Sequence, residues 1–286
     1  MRKTVIFFIM LLSGYAGTLL CLYLLSGTQS VYAANNSIDN RASLPMDSST
    51  SRLIAVAPCS TTFVLTPGNA QTLTVNFNGV DRPVTFYMPT SYQPTQTVPL
   101  LFALHGGNGD SSQWLEPDRK VTETAEVAGW IVVMPNGLPR PSAPPTSTNY
   151  LWGDPINQEY MIYLLDCMVQ QFAIDESRIY MIGFSGGAKL IYELAERPDA
   201  SARIAAIATA AGEWGAKDTT VLTHPWLMLD PSTSGGIPMS ALLLQGGRDD
   251  KLPAEGGFSQ TEDQPVPDKI APSFQTKVDA WRLFLS

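Results

Sequence analysis

Histidine is almost missing from this chain: its 286 residues include two, His105 and His224. Cysteine is scarce as well, with Cys21, Cys59 and Cys167 the full set. So few imidazoles and thiols argue against a His/Cys metal centre. Basic residues are outnumbered, 18 Lys and Arg against 26 Asp and Glu, which gives a formal charge of -8 and a pI near 4.7. No basic cluster stands out, so nucleic acid and anionic membrane surfaces are poor partners, because phosphate binding relies on grouped Lys and Arg. No repeat period and no low-complexity tract is visible.

What is present is enough apolar residue, 44%, for one sizeable core. Arg2 and Lys3 precede an uncharged stretch from Val5 to Leu25, and the compact residues Val31-Tyr32-Ala33 follow at a distance that suits signal-peptidase cleavage. Residues 1–33 are therefore expected to be a signal peptide, with an uncleaved signal anchor as the alternative. Residues 34–58 are polar and aperiodic, as a flexible linker would be. A single domain is expected over 59–286. In an oxidising compartment Cys59 and Cys167 are free to pair; two buried thiols, or a partner for Cys59 elsewhere, are the other outcomes.

Within the domain, Gln71 to Phe77 alternates polar and apolar residues and Val84 to Met88 follows the Asn78-Gly79 turn, which reads as a hairpin. Val98 to Leu104, Trp130 to Met134, Ile179 to Ile182, Ile204 to Ala210 and Ala241 to Leu244 are short apolar runs suited to buried strands. Helical spacing separates several of them: about a dozen residues from Arg119, Ile156 to Phe172 with Met161, Leu164, Leu165 and Met168 facing inward, and a last amphipathic stretch with Phe274, Val278, Trp281 and Leu285. Alternating strands and helices imply an α/β domain, a mainly parallel sheet covered by helices. Residues 137–156 read as a loop, in which Tyr150 and Trp152, with Trp114, either line an acyl or aromatic pocket or pack the surface.

The whole pattern is organised around Arg178 to Ala195. There an apolar strand runs into Gly183-Phe-Ser-Gly-Gly187 and then into a helical pattern, the context of a nucleophile elbow. Ser185 is the candidate nucleophile. The amide of Gly186 and those of Gly106 and Gly107, in the loop after Val98 to Leu104, are the candidate oxyanion donors. Asp249 follows a late strand and is the candidate orienting acid, while Asp250 reads as a cap of the following turn. The base is harder to place, because neither histidine follows Asp249: His105 sits in the presumptive oxyanion loop, where it shapes the turn, and His224 in Thr-His-Pro-Trp reads as a packed loop residue. The Gly183 turn lacks the G-x-G-x-x-G spacing of a dinucleotide site, and no cofactor is required.

Three segments carry a resemblance: Pro99-Leu-Leu-Phe-Ala-Leu-His-Gly-Gly107, Asp175-Glu-Ser-Arg-Ile-Tyr-Met-Ile-Gly-Phe-Ser-Gly-Gly187, and Leu244-Gln-Gly-Gly-Arg-Asp-Asp-Lys-Leu-Pro253 with Gly256-Gly257 behind it. From about Thr72 to Ser286 the chain resembles the secreted α/β-hydrolase esterases that include polyhydroxybutyrate depolymerase-like and feruloyl esterase-like enzymes. The resemblance implies an α/β-hydrolase fold with helices on both faces, but without that family's final strand and histidine loop, and places Asp249 in the triad. It also implies a serine carboxylic ester hydrolase working through an acyl-enzyme on polyester, feruloyl or acetyl-type esters, small or polymeric. Two departures stand out. Gln245 occupies a place where the family commonly has a non-catalytic histidine, and the family's catalytic histidine would fall beyond Ser286. A shortened sequence is expected from this, ahead of a chain that uses His224 or one that has lost catalysis and serves as an exported binding protein. No nucleic acid is expected as a partner, and a membrane only where the N-terminal segment stays uncleaved.

Overall fold

The computed structural model describes residues 30–33, 59–139, 150–212, 236–237, 239–247, 257–261, 264–271 and 278. Its centre is an eight-stranded sheet. Chain order gives β1 (Ser30–Ala33), β2 (Ala70–Phe77), β3 (Val80–Tyr87), β4 (Val98–Leu104), β5 (Ile131–Pro135), β6 (Leu138–Pro139), β7 (Tyr150–Leu151), β8 (Ile174–Phe184), β9 (Ala206–Ala210), β10 (Ser240–Gln245), β11 (Gly257–Thr261) and β12 (Gln264–Ala271). The helices are α1 (Val121–Ala128), α2 (Ile156–Gln171), α3 (Gly186–Ala195) and the short α4 (Pro198–Ser201).

The sheet runs in the order β1-β10-β9-β8-β4-β5-β3-β2. From β10 to β5 every pairing is parallel, and the hairpin β2–β3 closes one edge antiparallel. Asn78 and Gly79 turn that hairpin with φ of 52° and 78°, the left-handed pair that a two-residue connection needs to match strand twist. At the other edge β1 pairs antiparallel with β10, Ser30 opposite Gln245. The sheet thus draws on residues upstream of the expected domain start at 59, from within the stretch read as an export segment. The rest of that stretch, the 34–58 linker, His224, Asp249 and Asp250 lie outside the described residues, as does the final amphipathic stretch apart from Val278, which is helical and buried.

Alternation along the strands sorts the core into two layers. Leu100, Phe102, Leu104, Ile131 and Val133 face α2 and α3, meeting Tyr160, Met161, Leu164, Leu165, Met168, Leu190 and Leu194. Leu101, Ala103, Val132 and Met134 face the opposite way, onto Val121 and Ala125 of α1 and onto Trp114. Helices therefore cover both faces, as the continuous apolar runs require. Among its described residues the loop expected over 137–156 holds the two-residue ladder of β6 and β7 and a bridge from Tyr150 to Gly109, and its last residue, Ile156, begins α2. The antiparallel pair β11–β12 went unseen in the sequence, because its Pro and polar residues break the strand pattern.

Cys59 and Cys167 form a disulfide with Cα atoms 5.1 Å apart, which settles the open question of their pairing. It fixes the start of the described domain to α2. Around it the Phe63 amide donates to Gln171 Oε1 at 2.8 Å, the Ser60 amide donates to the Tyr163 hydroxyl at 2.9 Å, and the Phe63 ring packs on Phe86.

Candidate active site

The chain leaves β4 toward β5 on one side and leaves β8 toward β9 on the other, so the carboxyl ends of these adjacent strands open a crevice between diverging loops. That switch point is where open α/β sheets place their ligands. His105 to Gly109 occupy one side of it and Ser185 the other.

Ser185 has φ 51° and ψ -116°, a conformation that a residue with a Cβ adopts only under constraint. The constraint is visible. Its amide donates to Ala210 O at 2.9 Å, tying the turn to the end of β9, while its carbonyl accepts the first bond of α3 from the Lys189 amide at 3.1 Å. Glycine is needed on the helix side: a Cβ on Gly187 would stand 2.5 Å from the carbonyl oxygens of both Leu104 and His105. Only a bare backbone lets α3 approach β4 so closely.

The two sides of the crevice meet. A Cβ built on Gly106 would lie 3.6 Å from Ser185 Cβ, and one built on Gly186 would lie 3.2 Å from Gly107 N. Ser185 is partly exposed and Gly107 exposed, so the hydroxyl is not sealed inside. The three amides differ, however. Gly106 N–H already donates to Gln113 Oε1 at 3.0 Å, whereas the Gly107 nitrogen lies beside Gly186 at the start of α3. Gln113 was not singled out in the sequence; an isolated Gln six residues past Gly107 carries no pattern.

His105 is fully buried, and both of its ring nitrogens are engaged. Nε2 accepts from the Gly137 amide at 3.2 Å, which leaves the proton on Nδ1, and Nδ1 donates to Gly106 O at 2.6 Å. Its ring also packs against Trp152, with centroids 4.7 Å apart. No nitrogen remains to take a proton from Ser185, so His105 is a clamp of its own loop. Burial pushes its pKa down to about 4, against an opposing pull from Gly106 O and Asp110. The unfolded chain binds that proton near 6.5, so the stabilisation is whole above pH 6.5 and is lost as pH falls from 6.5 toward 4. The difference in urea-unfolding free energy between the parent and His105→Gln is expected to shrink by about 3 kcal/mol between pH 7 and pH 4. A difference that stays constant over that range would contradict a neutral buried imidazole.

Trp152 is buried and donates from Nε1 to His105 O at 2.8 Å; its Cδ1 lies 3.6 Å from a Cβ built on Gly186. Of the two roles open to it, packing is thus one it fills, at the base of the crevice. Tyr150 forms a bridge with Gly109, and Trp114 lies in the core beneath α1. Asp249 and His224 have no described placement, and His105 is the sole histidine among the described residues.

No family model matches the sequence, and no curated protein does. Among solved structures the chain is similar to pOPH in its native form, with a TM-score of 0.50 and 14% identity over 79% of this chain and 78% of that one. FphF, a fluorophosphonate-binding serine hydrolase of Staphylococcus aureus, is 17% identical over 52% of this chain and 58% of its own, with a TM-score of 0.40. The acetyl xylan esterase of Aspergillus awamori is 18% identical over 51% of this chain and 53% of its own, with a TM-score of 0.41. This chain spans little more than half the length of those last two. The sheet order, the helices on both faces and the match to pOPH make this an α/β-hydrolase fold.

Proposed function

We propose that this protein is a serine carboxylic ester hydrolase that works through an acyl-enzyme. The observation that carries the reading is the juxtaposition of a strained, partly exposed Ser185 with the amides of Gly186 and Gly107 across the β4–β8 crevice. Ser185 Oγ attacks the ester carbonyl and loses its proton to a histidine; the two amides hold the oxyanion; the alcohol leaves with that proton; and water then releases the acid by the same steps in reverse. Asp249 orients the histidine, which comes from outside the described residues, since both His105 nitrogens are occupied. Polyester, feruloyl and acetyl-type esters are the proposed substrates. The Cys59–Cys167 disulfide supports an extracytoplasmic location, and the place of Ser30–Ala33 in the sheet favours the uncleaved form of the export segment.

A fluorophosphonate probe tests this directly. Phosphonylation is expected on Ser185, located by peptide mass spectrometry, and absent from Ser185→Ala. A protein that stays unlabelled at Ser185 and turns over no p-nitrophenyl ester is instead an exported binding protein on a hydrolase fold.

A further inference from the structure

Three strands from β8, the sheet buries a cation that no carboxylate among the described residues pairs with at ion-pair distance, Asp154 acting on it only from farther off. Arg82 on β3 is 1% exposed, and none of the ion pairs among the described residues includes it. Its Nη1 donates to Asn157 Oδ1 at 2.7 Å, its guanidinium stacks on the Tyr160 ring 4.1 Å from the centroid, and its Nε is buried with no partner among the described residues. A charge held this way contributes little to stability that an apolar side chain of similar size would not. Its consequence lies in what it holds.

Asn157 is itself fully buried. A guanidinium has donors only, so it forces the Asn157 amide to present Oδ1 to it and turns Nδ2 the other way. Nδ2 then donates to Leu151 O at 3.3 Å. The residues on either side of Leu151 grip the loop that faces Ser185. Tyr150 O accepts from the Asn108 amide and the Tyr150 amide donates to Gly109 O, each at 3.1 Å, and Trp152 Nε1 donates to His105 O at 2.8 Å. Leu151 also pairs with Leu138 in the short β6–β7 ladder, one residue past Gly137, whose amide holds His105 Nε2.

We propose that Arg82 and Asn157 are positioning residues for the 105–109 loop: the guanidinium sets the orientation of the Asn157 amide, the amide holds segment 150–152, and that segment fixes where the Gly107 N–H stands relative to Ser185. The kinetic side of this rests on the ester hydrolase reading above; the structural side does not.

Asn157→Asp is the sharpest variant. It keeps size and keeps an acceptor for Arg82, but it removes the donor to Leu151 O. Arg82→Met keeps apolar packing against Tyr160 and releases the amide, and Arg82→Lys restores a donor to Oδ1. Hydrogen exchange of the amides in 105–109 is expected to quicken by about tenfold in Asn157→Asp and Arg82→Met, relative to exchange in strands β8 and β9 of the same protein. The kcat for p-nitrophenyl acetate is expected to fall by roughly 10- to 100-fold with KM nearly unchanged, and Arg82→Lys to recover part of the loss. Parent-like exchange in 105–109 in both Asn157→Asp and Arg82→Met overturns the inference. If the parent itself fails to label with fluorophosphonate, the hydrolase reading falls, and the exchange rates still decide whether the loop is held from Arg82.

Discussion

Ser185→Ala is expected to lower kcat for an ester substrate by roughly 10⁴-fold or more while leaving the fold intact. The loss follows from the attack step, since alanine keeps the bend and both facing amides but has no hydroxyl to form the acyl-enzyme. The intact fold follows from the contacts of Ser185, whose backbone N–H and C=O make the bonds to Ala210 and Lys189 while its side chain makes no capping bond. A companion variant separates chemistry from strain. At φ 51° and ψ -116° a Cβ is unfavourable, so Ser185→Gly is expected to be as inactive as the alanine variant yet to gain about 1 kcal/mol of stability. Initial rates with p-nitrophenyl acetate and urea melts on the three proteins check both halves. A Ser185→Ala protein that keeps more than a tenth of the parent's kcat would sink the nucleophile assignment.

Opening the Cys59–Cys167 bridge is expected to cost about 5 kcal/mol of stability. The bridge closes a separation of 108 residues, and in the chain-entropy account the stabilisation grows with the logarithm of that loop. The melting temperature of Cys59→Ala/Cys167→Ala should then drop by about 10 °C relative to the parent. Activity at 25 °C is expected to change little. The bridge joins α2 near its C-terminal end, at residue 167 of a helix that ends at Gln171, whereas Asn157, which holds segment 150–152, is at the other end. What it secures is the segment from Cys59 to Phe63 against Tyr163, Gln171 and Phe86. Differential scanning calorimetry of the double variant and of the parent with a reductant should agree; unchanged melting in both would mean that this segment stays docked without the bond.

Much of the scaffold was legible because its signals are local. Val98–Leu104 is a strand with the bounds its apolar run suggests, and Asn78-Gly79 turns the hairpin because those residue types tolerate the left-handed region. Gly183, Ser185 and Gly187 marked the elbow because a sharp strand-to-helix turn demands small residues at fixed offsets. Helix lengths were less legible: the dozen helical residues expected from Arg119 reduce to Val121–Ala128, since Lys120 takes a left-handed conformation and Gly129 ends the helix. The role of His105 was half legible, as a turn-shaping residue; its tautomer came from Gly137, thirty-two positions away, and its neutrality from burial.

By itself, then, the sequence determined the central buried strands and the helices between them, that they form an α/β domain, and that a serine stands on a bend between one strand and one helix, because periodicity and turn chemistry act over a few residues. Tertiary structure alone decided that β4 and β8 lie side by side, which brings Gly107 to Gly186, that the Gly106 amide is taken by Gln113, that two cysteines 108 positions apart are joined, and that a buried Arg82 on β3 is linked through Asn157 to the segment that grips the loop after β4, two strands off. Those are contacts between residues far apart in the chain, and long-range pairing is chosen by the packing of whole layers, for which no short stretch of sequence carries a signal.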